Sequence, residues 1–82
     1  MTAKAKERAL SVNLEPGFLW KIWTQDVANE RPGGIYCFDT IEHANKYMQM
    51  HEARLKSAGA LDIQFKILSI NEELTHINHG PI

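Results

Sequence analysis

The stretch "EPGFLWKIWT", Glu15 to Thr24, constrains the fold more than any other part of the chain. Its residues favour a strand, and strand side chains alternate, so Phe18, Trp20 and Ile22 point to one side and Leu19 and Trp23 to the other. Neither side suits water, and any fold built on this strand has to cover both of its faces. The whole chain has 82 residues. That length makes one domain, residues 1–82, with a thin core, since so small a chain buries only roughly 60 to 65% of its unfolded surface.

What could do the covering follows from the rest of the pattern. Ala5, Ala9 and Val12 recur at helical spacing between charged residues, which predicts an amphipathic helix over 2–13. Pro16 and Gly17 break it and turn the chain into a strand over 18–25. After the polar loop "DVANERPGG" comes a short strand, Ile35 to Phe38, the expected hairpin partner of the first. Asp39 and Glu42 have capping-box spacing and open a helix that Gly59 closes. Ala44, Tyr47, Met48, His51, Leu55 and Ala58 form its apolar stripe. A strand over 62–70 and a helical turn capped by Asn71 complete the expectation. The order helix, strand, strand, helix, strand is α+β, with both helices on one face of an antiparallel sheet. Two helices leave the other face bare, and the simplest closed cover for it is a second copy: a homodimer packed sheet to sheet.

Several function classes drop out on composition. Net charge is -1 and the Lys and Arg residues form no run, so nothing builds the positive field that nucleic acid requires. No stretch reaches the roughly 20 apolar residues of a membrane span, and the N-terminus lacks a signal peptide's apolar segment. The single cysteine, Cys37, excludes an internal disulfide and reads as a packing residue. A reducing, cytoplasmic setting is the resulting expectation. His76 and His79 stand three apart without a third ligand, so no metal site is expected. "PGG" at 32–34 is too short for a phosphate loop and reads as a turn.

Four blocks in order, "NLEPGFLWKIWT", "GGIYCF", "YMQMHEARLKSAG" and "ILSINEELTHIN", resemble the YdhR-type mono-oxygenase family over about Lys6 to Asn78. The resemblance implies a ferredoxin-like βαββαβ subunit of a dimeric α/β barrel. It also implies an activity, itself inferred from relatives, that oxygenates aromatic substrates without metal or flavin. One departure stands out: the family pattern begins with a strand ahead of the first helix, and here only Met1 precedes helical periodicity. That strand lies in the family's sheet between the counterparts of 35–38 and 62–70, and without it two inner edges lack partners. A fragment starting at an internal Met, a sheet closed up in three strands, and a strand supplied from elsewhere are the three alternatives.

The resemblance also implies a cavity between helices and sheet, roofed by the second helix. His51 and Tyr47 lie one turn apart on that helix's apolar stripe, so both can reach one cavity. Lys21, Trp23, Tyr36 and Phe38 are the candidates for its floor, and Phe18, Trp20 and Ile22 for the dimer interface. Aromatic walls with a few polar tips suit a flat aromatic ligand. Oxygenation without a cofactor requires the substrate to give an electron to dioxygen, which a phenol does more readily as its anion. A histidine near neutral pH can accept that proton, which makes His51 the candidate base or orienting group. Tyr47 and Tyr36 would donate hydrogen bonds, and Trp23 would stack. A plain packing role is open to each of these residues, and Arg54 could bind a substrate anion or pair with a surface carboxylate.

The expected function is a cofactor-independent mono-oxygenase acting with dioxygen on a small aromatic or quinol-like molecule. The alternative is a non-catalytic dimeric module that binds a small ligand, because fold does not fix activity. A haem-degrading relative is a third class. It is disfavoured because Phe38 stands where such enzymes carry Trp and because the first strand is missing.

Overall fold

A computed structural model of the protein describes residues 3–82. The elements are α1 (Ala3–Val12), β1 (Phe18–Asp26), β2 (Arg31–Phe38), α2 (Ile41–Ser57) and α3 (Glu72–Ile77). The architecture is α+β, and the described strands form one two-stranded antiparallel sheet. Thr2, which the expected first helix included, lies outside the described residues. Beyond Val12 the chain tightens into successive turns, Asn13 N–H to Leu10 O at 3.3 Å and Leu14 N–H to Ser11 O at 3.1 Å. Gly17 then carries the reversal at φ 76°. A side chain there would run into the Asp39 carboxylate and the His43 ring, and the Gly17 carbonyl accepts the Asp39 N–H at 2.8 Å.

The hairpin differs from expectation at both ends. Its turn is only Val27 to Glu30, because Asn29 bonds the Asp26 carboxylate through its backbone N–H at 3.2 Å and its side-chain amide at 2.8 Å. Glu30 takes the positive φ of 53° that closes the turn. "RPGG" is therefore strand and not loop, and Gly34 sits opposite Trp23. At the other end the register slips: Phe18 pairs with Phe38 but Trp20 with Cys37, leaving Leu19 as an extra residue. Such a bulge shifts the alternation by one. Phe18 therefore leaves the face of Trp20 and Ile22 and joins Lys21 and Trp23, where its ring meets that of Phe38 at 5.9 Å.

α2 lies on this second face. Thr40, and not Asp39, is its N-cap, accepting the His43 N–H at 3.1 Å. Asp39 instead pairs with His43 Nδ1 at 2.6 Å. The C-terminus ends in a Schellman arrangement: Gly59 N–H bonds Lys56 O and Ala60 N–H bonds Leu55 O, both at 3.0 Å, with Gly59 at φ 89°. α3 is capped by Asn71, as its sequence predicts, through Leu74 N–H at 3.1 Å.

The expected strand over 62–70 does not form. Arg31 anchors its start, holding the Asp62 carboxylate at 3.3 Å and the Asp62 carbonyl at 3.1 Å, but residues 63–70 enter no ladder among the described residues. A strand exists only through its neighbours' hydrogen bonds, and β2 pairs with β1 alone. Leu68 is 79% exposed as a result.

The core is small. Val12, Cys37 and Tyr47 are the buried apolar residues among those described, and none is sealed off completely. Tyr47 is the joint between helix and sheet, its ring lying 5.3 Å from Tyr36 and 5.4 Å from Phe38. Replacing it by Ala should cost about 3 kcal/mol in urea unfolding, as for other large buried rings, while Phe should stay within about 1 kcal/mol of the parent.

Candidate ligand site between the hairpin and the second helix

The six residues predicted to line the site converge, and Phe18, predicted for the dimer interface, lies on the same face. Residues paired across an antiparallel ladder share a face, so the Phe18–Phe38 and Lys21–Tyr36 pairs, with Trp23 opposite Gly34, all look toward α2. From α2, Tyr47 and His51 come down one turn apart, their rings stacked at 5.3 Å and 18°. Tyr36 meets His51 edge-on at 6.0 Å, and its hydroxyl lies 3.4 Å from His51 Nε2. Trp20 and Ile22 point to the opposite face with Cys37 and Ile35. Of two hollows in the surface, one of about 90 Å³ reaches Tyr47 from the side of Glu15, Pro16, His43 and Met50, and one of about 400 Å³ lies away from these residues at the hairpin turn.

Lys21 crosses the floor of the site. Its ammonium stands 3.3 Å from the centre of the Trp23 ring and 4.3 Å from that of Tyr36, a cation over two aromatic faces. Gly34 makes room for it, since a Cβ there would come within 2.7 Å of Lys21 Cε. Partial burial lowers the Lys21 pKa from 10.5 to about 8, helped by the Arg54 charge. Burial also pushes the Tyr36 phenol far up, with the Tyr47 phenol adding to it and Arg54 opposing. Tyr36 therefore remains a hydroxyl at any physiological pH.

His51 is the most constrained group. Burial holds its pKa below the usual imidazole value, and the charges of Arg54, Lys21 and Arg8 add to the effect. Arg54 does not pair with a carboxylate among the described residues. Its Nη2 instead donates to His51 Nδ1 at 3.1 Å. The sequence favours a surface carboxylate as the partner of Arg54 and a turn at Gly34, and the structure gives Arg54 the His51 ring and Gly34 a place in β2; the approach of Arg8 to His51 is not foreseen. Arg54's spacing of three from His51 was the available signal, whereas the approach of Arg8 depends on how α1 packs.

The arrangement offers an aromatic floor, neutral hydroxyl and imidazole groups, and cations that form no ion pair with a carboxylate among the described residues. With the lysines 13C-methylated, Lys21 should titrate in NMR with a midpoint near 8. A midpoint at 10.5 would mean that the cation–π contacts outweigh burial.

The described residues include no helix long and apolar enough to cross a membrane. No curated protein matches the chain. A family model does, the one described as "Putative mono-oxygenase ydhR", over residues 1–81. With that match covering nearly its whole length, the chain belongs to the ydhR family of mono-oxygenase-like proteins.

Proposed function

We propose that the protein is a cofactor-independent mono-oxygenase that acts on a small phenolic or quinol-like aromatic held against Tyr36 and Trp23. The observation that carries this reading is the convergence of Tyr36, Tyr47, His51 and Lys21 around one aromatic floor in a chain of this family. The substrate's ring stacks on the face of Trp23 that Lys21 does not cover, and Phe38 borders it. His51 meets the substrate's oxygen, either taking its proton or orienting it, while the Tyr36 and Tyr47 hydroxyls donate hydrogen bonds. The electron-rich anion then reduces dioxygen. One oxygen atom becomes the new ring carbonyl, the other leaves as water, and the ring C–H is oxidised to C=O, so atoms and electrons balance without another reductant.

The same reading makes the subunit ferredoxin-like and pairs two copies through the sheet face that carries Trp20 and Ile22. Ile22 and Ile35 are 47% and 55% exposed on that face, which favours a cover from outside the single chain. A specific observation favours the second reading, a non-catalytic ligand-binding module: Trp23 is 51% exposed, so the site in one chain is open to water.

Dioxygen uptake should exceed the uncatalysed rate with reduced naphthalene or anthracene phenols. His51→Gln should lower turnover about a hundredfold and change binding far less. Unchanged turnover would remove His51 from the reaction, and no uptake by a folded protein that still binds the phenol would leave the binding module. Light scattering at micromolar concentration should give a dimer, and a monomer there would refute the sheet-to-sheet pairing.

A further inference from the structure

Arginine has only donors. In the contact between Arg54 Nη2 and His51 Nδ1, at 3.1 Å, the imidazole nitrogen must therefore be the acceptor and carry no proton. Neutral His51 then holds its one proton on Nε2, the nitrogen that faces the Tyr36 hydroxyl at 3.4 Å. With its oxygen receiving that N–H, the Tyr36 hydroxyl donates on to the Tyr47 oxygen, which also accepts from Arg54, and the Tyr47 hydroxyl is left to donate outward. Every hydrogen bond in this short chain runs from the guanidinium toward the site, and the chain ends in donors.

The charges have the same sense. Lys21 from β1, Arg54 from α2 and Arg8 from α1 are the charged groups that act on His51, and none of the three has a carboxylate in ion-pair reach among the described residues. Tyr36 from β2 and Tyr47 from α2, the other titratable neighbours, are neutral phenols. The Glu15 carboxylate acts on Tyr47 but is not among the charges that act on His51, so three cations without an ion-pair carboxylate among the described residues stand around a set of donors and favour an anion.

We propose that Arg54 holds His51 as the Nε2–H tautomer, so that His51 is a hydrogen-bond donor and not a base, and that the site takes flat aromatic ligands carrying a negatively charged oxygen. This rests on the reading above and chooses between its two roles for His51. The ligand arrives as a carboxylate or phenolate, and no group has to remove its proton. Arg54 is a positioning residue acting through His51, whereas Lys21 meets the anion directly.

Two measurements on the full chain test this. Long-range 1H–15N correlation NMR reports which imidazole nitrogen is protonated; at neutral pH His51 should show the Nε2–H pattern, with loss of that fixed tautomer in Arg54→Gln and its recovery in Arg54→Lys. Calorimetric titration with 2-naphthoate and its neutral isostere 2-naphthamide should show the carboxylate bound at least about tenfold more tightly, as charge-assisted hydrogen bonds require. That preference should collapse in Arg54→Gln. A proton on His51 Nδ1, or carboxylate binding no tighter than amide binding, including no binding of either, would overturn the proposal. Carboxylate selectivity without dioxygen uptake would sink the oxygenase reading alone.

Discussion

The fold depends on one aromatic joint. Tyr47, 5% exposed, is the only buried residue on α2 and packs its ring against Tyr36 and Phe38 of β2. An isolated hairpin is marginally stable in water and needs a hydrophobic face or a helix against it. Here that support comes through a few rings and not through a broad core, so the same contacts that hold α2 on the sheet also place His51 one turn away. Stability and site geometry are therefore not separable at Tyr47, whereas Arg54 lies at the surface and reaches the site through its hydrogen bonds to His51 and Tyr47.

The helices and their stripe were legible because helical periodicity and capping chemistry are local signals. Tyr47 and His51 share a face from spacing alone, and Asn71 caps the last helix by its residue type. What escaped the sequence was of two kinds. The bulge at Leu19 is invisible to a period-two reading, yet it carries Phe18 to the helix side of the sheet. The glycines at 33 and 34 imitate a turn, and only the Asp26–Asn29 bonds show that the chain has already reversed before reaching them. Partner choice is the deeper difficulty: Arg54 could have met a carboxylate or an imidazole, and spacing cannot say which.

Residues 62–70 show the same limit from the other direction. Their alternation and β-branched content favour a strand, but a strand is a relation between chains of backbone, and the described residues give this one no neighbour. Arg31 ties down only its first residue. Leu68 and Ile70 consequently remain at the surface. Local propensity proposes an extended conformation, and hydrogen-bond pairing decides whether it becomes part of a sheet.

Lys21 shows how the site can tolerate charge so close to apolar rings. Partial burial disfavours the ammonium, and its pKa falls accordingly, but the faces of Trp23 and Tyr36 return part of that loss through their quadrupoles. Gly34 is what allows the stem to lie across the sheet and reach both rings. An anionic oxygen entering between Lys21 and His51 would find its counter-charge already in place and the donors already aligned, so little reorganisation would be needed on binding. A neutral ligand would stack equally well on the floor but leave the cations uncompensated. Discrimination therefore comes from the charge around the rings and not from the rings themselves.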